Sequence, residues 1–458
     1  MRLLIRSGYL WCGDAAGTEI AGASVLAEDG VVTHIGTQDR DWPVADDVLD
    51  ASECVVVPGL VNTHHHLYQT LTRAFTPALA CDLFGWLKAL YPVWEQLDEE
   101  SAYLSAWVGL AELLLSGCTT TTDHLYVHPR GRTGLIEAEI SAAAELGIRF
   151  HPTRGSMSLG TDDGGLPPMA VVQDEDEILA DCQRLVERYH DPSQGSMLQI
   201  ALAPCSPFSV TPQLMRRSAE LAERLDVRLH THLAETTNET AYCAEVFGVR
   251  PHELAGQLGW LSTRTWFAHA VWSDAAEIAR LAATGTGVAH CPTSNMMIGA
   301  GLCPAVDMRR AGVIVGLGCD GSAAHDASDL WGEVRQALLL AHLRDGPAAL
   351  TARGALEMAT GGGAGCLGRT DIGSLEVGKC ADMACYPLTG LSTAGAVLDP
   401  VEAIVRCAVR GAAHTVVNGQ VLVRDGRLNN EDLDDRVARH RALARRWAER
   451  LRPAGPWL

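Results

Sequence analysis

From Pro58-Gly59 to Gly378 the chain alternates short apolar runs with longer helical ones, and this rhythm restricts its fold more than any other feature. Segments 119–124, 196–203, 227–232, 265–269, 287–290 and 314–319 have the length and apolar character of buried strands. Segments 102–116, 211–225, 275–283 and 305–311 have helical spacing. Parallel strands need a crossover, usually a helix, so a repeated strand–helix unit builds a parallel sheet. This many units fits an α/β fold, a (β/α)8 TIM-like barrel over residues 58–378. Residues 3–57 instead set short apolar runs between Gly, Asp and Ser turns, and short strands return at 383–386, 404–407 and 414–423. Residues 1–57 and 379–430 are therefore expected to form a small antiparallel β domain, a β-sandwich made from both chain ends. Residues 431–458 read as a charged, amphipathic C-terminal helix.

Histidines gather where the predicted strands end. Asn62-Thr63-His64-His65-His66 follows the apolar run 55–61. Residues two apart on a strand share a face, so His64 and His66 can meet one metal ion while His65 points away. His230-Thr231-His232-Leu233-Ala234-Glu235 follows a second strand, His269 ends another, and Asp320-Gly321 ends a fourth. One such group alone is as readily a core histidine or a turn aspartate. Four of them, each at the carboxyl end of a different strand, mark the face where barrels build active sites.

The order Pro58-Gly59-Leu60-Val61-Asn62-Thr63-His64-His65-His66, then His232-Leu233-Ala234-Glu235, His269 and Asp320-Gly321, resembles the cytosine/guanine deaminase branch of the amidohydrolase superfamily. The likeness covers nearly the whole chain, including the closing stretch 372–382. Segments 66–73 and 151–160 are similar more narrowly to 8-oxoguanine deaminases, with triazine hydrolases as close relatives. The resemblance implies one divalent metal, zinc with iron as the alternative, held by His64, His66, His232 and Asp320. The ion would lower the pKa of bound water to about 7 and so supply hydroxide. Asp320 would take the proton of that water, and Glu235 would protonate the ring nitrogen and then the departing amine. His269 would polarise or hydrogen-bond the oxygen during attack. The implied reaction is deamination of a small aminated heterocycle, foremost 8-oxoguanine to urate and ammonia. Guanine or isocytosine deamination and s-triazine amino- or chlorohydrolysis are the alternatives, and a non-catalytic scaffold is the least favoured.

Two-metal relatives bridge their ions with a carboxylated lysine from a middle barrel strand. This chain has only Lys88, in a helical stretch, and Lys379, beyond the barrel, so a single metal is expected. Cys205, near the end of a middle strand, reads as packing, and His124 and His290 as supporting or core residues. For the substrate, Arg154 could hold a ring carbonyl with its planar fork of donors and Gln69 could pair with an amide edge. Trp86 and Tyr126 could flank a planar ring.

Composition bounds the partners. Asp and Glu outnumber Lys and Arg by 56 to 36, a formal charge of -20, which argues against a nucleic-acid partner and leaves a small, nucleobase-like molecule. Residues 373–379 imitate a phosphate-binding loop, but Cys380 stands where Ser or Thr is required. No His-x-Glu occurs, which excludes the cytidine-deaminase type of zinc site. No signal peptide is expected from the opening residues, no apolar run is long enough for a membrane, and 14 cysteines lack any C-x-x-C pair. A cytoplasmic, reduced protein acting in purine metabolism is expected, and a homo-oligomer.

Overall fold

The computed structural model describes residues 1–430 and 432–450. Eight parallel strands close a barrel in chain order: β1 (Leu60–Asn62), β2 (Cys118–Leu125), β3 (Arg149–Ser156), β4 (Ala201–Pro204), β5 (Leu229–Leu233), β6 (Thr265–His269), β7 (Gly287–His290) and β8 (Val315–Leu317). Leu317 pairs with Asn62, which joins the last strand to the first.

Strand register decides which side chains face the axis, because neighbours paired across parallel strands share a face. Thr122 pairs with His151 and His124 with Thr153. His230 pairs with Trp266 and His232 with Ala268. The fully buried indole of Trp266 stacks on His230 at 4.4 Å between centroids and donates Nε1–H to the Thr63 carbonyl at 2.9 Å. Barrel interiors are usually filled by Val, Ile and Leu. Here imidazoles and an indole take that volume, and the facing strands yield to them. A Cβ on Gly318 would lie 2.7 Å from the His64 Cβ, and one on Gly316 2.7 Å from the Thr63 methyl.

The chain ends pair into a nine-stranded sheet outside the barrel. Its path runs Arg427–Leu428, Gln420–Arg424, His414–Val417, Met383–Pro387, Asp47–Pro58, Arg2–Trp11, Ser24–Glu28 and Val31–Gly36, with Glu19–Ala21 beside Arg2–Trp11. The expectation of an antiparallel unit misses one feature: Arg2–Trp11 and Asp47–Pro58 run parallel. Segment 404–407 is also not a strand. It lies in the helix Pro400–Arg406, which starts on a proline and is capped by Asp399 accepting from the amides of Val401 and Glu402.

Strand Asp47–Pro58 leads straight into β1 through Gly59, where a Cβ would sit 2.1 Å from the Thr119 hydroxyl, so a larger residue has no room. At the opposite end from the histidines, buried Arg149 holds Asp382 with Nε and Nη2 at 3.1 and 3.2 Å and the Gly195 and Ser196 carbonyls with Nη1. That buried, fully hydrogen-bonded pair fixes the sheet to the barrel floor.

The terminal helix is seen as Leu433–Arg450; residues 431 and 451–458 of the expected segment lie outside the described residues. It buries Leu443 and Trp447, and its His440 meets the Thr70 hydroxyl at 3.0 Å. Thr70 belongs to the short 3-10 turn Leu67–Thr72 that follows His66 directly.

Candidate metal centre and active site

β1 ends at Asn62, so His64 and His66 sit on the loop beyond the strand. They still converge, with ring centroids 4.7 Å apart, while His65 turns away to the Ser328 hydroxyl at 3.0 Å. The loops after β1 and β8 continue the ladder through Asp320 N–H to the His64 carbonyl at 3.0 Å. Four non-glycine residues just past strand ends take positive φ: Ala234 at 52°, Ala270 at 48°, Asp320 at 63° and, closing β6, His269 at 71°. Such backbone costs about 1–3 kcal/mol per residue and persists only where the surroundings impose it, as they do at functional sites.

Hydrogen bonding settles which imidazole nitrogen is free. His66 donates Nδ1–H to the His124 carbonyl and His232 donates Nδ1–H to the Cys205 carbonyl, each at 2.7 Å. His230 donates Nδ1–H to the Trp266 carbonyl at 2.8 Å, so its Nε2 is an acceptor and receives Nδ1–H from His64 at 2.8 Å. A carbonyl only accepts, so in all three of His64, His66 and His232 the lone pair lies on Nε2. Those nitrogens and Asp320 meet at one place: His66 Nε2 is 3.1 Å from His232 Nε2, and Asp320 Oδ1 is 3.3 and 3.2 Å from Nε2 of His64 and His66. Tetrahedral ligands about 2.0–2.1 Å from zinc stand about 3.3–3.4 Å apart. Three facing lone pairs and a carboxylate at this spacing repel unless a cation lies between them. The donor set therefore fits a divalent metal.

Charge at the centre follows from burial. Burial holds His64 and His232 well below the usual imidazole value, so both are neutral ligands. Burial alone would raise Asp320, and positive charge at the point where His64 and His66 meet it is what holds it ionised, well below the usual carboxylate range. Its Oδ2 accepts the Ser294 hydroxyl at 2.5 Å. Glu235 behaves oppositely: burial, then the charge of Asp320, pushes it up to about 8. Its carboxyl lies 3.6 Å from His269 Nε2, while His269 Nδ1 is held by the Asn295 amide oxygen at 3.0 Å. Two neighbouring carboxyls of opposite protonation state are the arrangement of an acid–base pair.

Sequence reasoning missed three supporting groups. Glu239, wholly buried, accepts the amides of Ala234 and Glu235 at 2.8 Å each and so holds the turn that presents Glu235. Ser294 and Asn295, on the short helix Pro292–Met297, orient Asp320 and His269. The only advance signal was for Glu239, an acid three residues after the capping Thr236.

Above the centre lies a cavity lined by His66, His232, Glu235, His269 and Asp320 and walled by Leu83, Trp86, Leu87, Phe208 and Ile298. Gln69, Trp86 and Tyr126 line it as expected, and Gln69 has only long contacts, 3.4 Å from the Ala323 amide and 3.5 Å to the Tyr68 hydroxyl. Cys205 also reaches the lining, and burial pushes its thiol up to about 12. Arg154 is a correction. β3 runs on to Ser156, its inward residues are Thr153 and Gly155, and Arg154 points out of the barrel. There it donates to Asp181 Oδ2 at 2.7 Å and Gln173 Oε1 at 3.0 Å. His290 likewise faces outward into a separate small cavity with Cys303 and Met358. Lys88 is exposed, and Lys379 bonds Ser374 and Glu376, so neither approaches the centre.

The amidohydrolase family model matches residues 55–422. The chain is 50% identical over 430 residues to 8-oxoguanine deaminase of Pseudomonas aeruginosa, covering 94% of this chain and 96% of that one. It is 39% identical over 433 residues to hydroxydechloroatrazine ethylaminohydrolase of Pseudomonas sp. strain ADP, covering 90% and 89%. Among solved structures, atrazine chlorohydrolase of Arthrobacter aurescens TC1, complexed with zinc, superposes with a TM-score of 0.92 at 35% identity, covering 96% of this chain and all of that one.

Proposed function

The chain belongs to the amidohydrolase family, and from that premise we propose that it is a metal-dependent aminohydrolase converting 8-oxoguanine and water to urate and ammonia. The observation that carries this reading is Glu235, a buried carboxyl that stays protonated at neutral pH beside the ionised Asp320. Expelling an amine requires a proton, and Glu235 holds one at the cavity edge.

His64, His66, His232 and Asp320 hold one divalent metal, zinc with iron as the alternative. When bound, that metal supplies Lewis-acid activation of water, whose pKa it lowers to about 7. Asp320, fixed by Ser294, takes the proton of the attacking water. His269, with Nδ1–H on Asn295, offers its Nε2 lone pair to that water and orients it. Glu235 protonates the ring nitrogen, and a further proton passes through it to the amine as the carbon–nitrogen bond breaks. General acid–base help of this kind is worth about 10²–10⁴-fold. Gln69 pairs with the amide edge of the base, and Trp86 and Tyr126 enclose its faces. No Lys or Arg is among the lining residues, which suits a neutral free base and not a nucleotide.

The test is ammonia release from purified, zinc- or iron-loaded protein across aminopurines, aminopyrimidines and aminotriazines. The highest kcat/KM is expected for 8-oxoguanine. A higher value for a triazine overturns the substrate, and no release from any compound overturns the reaction. No described helix is long and apolar enough to cross a membrane. All 14 cysteines are free thiols, which supports a reducing, cytoplasmic setting. Nearly full exposure of Leu391, Val397 and Leu398 supports association of copies into a homo-oligomer.

A further inference from the structure

One imidazole inside the barrel has no task in the reaction above. His124, on β2, is wholly buried and does not line the substrate cavity. Its ring stacks on His232 at 4.8 Å and 22°, and it lies 5.4 Å from His66 and 5.9 Å from His64 between centroids. Nε2–H is donated to the Ala203 carbonyl at 2.9 Å, and since a carbonyl cannot donate, the proton of this neutral ring is on Nε2. The lone pair is therefore on Nδ1, and Nδ1 is buried with no hydrogen-bond partner among the described residues. Buried acceptors are nearly always satisfied, so an unpaired one on a ring packed against three metal-site imidazoles needs a reason.

One nitrogen from each of His64, His66, His124 and His232 lies within 4.8 Å of the others. A cation bound at about 2.1 Å spans donors up to about 4.2 Å apart, so a few tenths of an ångström of movement per ring brings all four into reach. Asp320 stands with His64 and His269 in a separate grouping, so His124 approaches from the barrel interior. We propose that His124 is a further protein ligand, giving the ion four imidazoles and one carboxylate and a preference for more than four-fold coordination. This rests on the metal-binding reading of His64, His66, His232 and Asp320.

Two substitutions separate the nitrogens. In His124→Gln the side-chain amide nitrogen occupies the place of Nε2 and keeps the bond to Ala203, with no lone pair where Nδ1 was. In His124→Asn the amide oxygen falls near the Nδ1 position and can still bind an ion. X-ray absorption on zinc-loaded full-length protein counts imidazoles through scattering from the ring carbons. The expected count is four for the parent and three for both variants. Zinc affinity, read by chelator competition, should fall at least about tenfold in His124→Gln and less in His124→Asn. Three imidazoles in the parent, or an unchanged count in His124→Gln, overturns the role of His124 while leaving the metal centre standing. If His124→Gln does not fold, the parent count and the His124→Asn count still decide. A parent that retains no zinc overturns both readings.

Discussion

Glu239→Gln tests whether a carboxylate behind the active site holds the catalytic acid in place. Glu239 receives two backbone amides, Ala234 at 2.8 Å and Glu235 at 2.8 Å, and Ala234 between them has a φ of 52°. A buried hydrogen bond to a charged group contributes about 1.5–3 kcal/mol, and the positive φ costs about 1–3 kcal/mol. Each such bond is thus comparable with the strain it offsets. Glutamine keeps one acceptor and sets an NH2 against the other amide, removing about 1.5–3 kcal/mol from the turn. At about 1.36 kcal/mol per tenfold, kcat/KM should fall about 10- to 150-fold. His232 keeps its own anchor on the Cys205 carbonyl, so zinc content should not change. The assay belongs near pH 8, above the value of about 7 to which burial raises Glu239, so that the parent carries the carboxylate. A variant with parental kcat/KM and only a lower Tm would show that the turn positions nothing catalytic. Loss of zinc would show that it serves the metal ligands.

Glu235→Gln should reduce turnover about 10²–10⁴-fold with metal content intact, measured by ammonia release and metal analysis; parental activity refutes its role as acid. Arg154→Ala should leave KM unchanged but lower stability by about 1–3 kcal/mol in chemical denaturation, because it removes a buried guanidinium and its bonds to Gln173 and to half-buried Asp181, which keeps Arg184 as a partner. A raised KM with unchanged stability would return Arg154 to the substrate site. His440 titrates near 4, lowered by burial and then by Arg73, against 6.5 in the unfolded chain. The unfolded chain therefore binds the extra proton first, and stability is lost as pH falls from 6.5 towards 4. At about 1.36 kcal/mol per unit, the loss from this group is about 2 kcal/mol by pH 5. Thermal melts of His440→Gln against the parent should show a shallower acid slope, and parallel slopes refute the assignment.

The barrel and the residues at its mouth were legible because each is written locally. A strand-length apolar run ending in His or Asp puts that residue at the open face whatever its neighbours do. What could not be read depends on parity and pairing between segments. The donor fork of Arg154 suits a ring carbonyl, but β3 extends two residues beyond it and the alternation sends it outward. His124 and His230 look like any core histidines until the carbonyls of Ala203 and Trp266 fix their tautomers. The parallel pairing of Arg2–Trp11 with Asp47–Pro58 is likewise a choice of partner that no single run encodes. Segment 404–407 is a different failure, since Asp399-Pro400 carried a helix-start signal that its apolar content obscured.

The hydrogen bond between Thr70 and His440 spans 370 residues and lands on the turn that carries Gln69. Domains fold progressively as the chain leaves the ribosome. This turn cannot make its contact with His440 until the helix Leu433–Arg450 has been synthesised. The barrel can close around its histidines while synthesis continues, yet the contact behind Gln69 is completed only after His440 has emerged. A nascent or prematurely truncated chain would thus carry the centre before it carries the finished pocket.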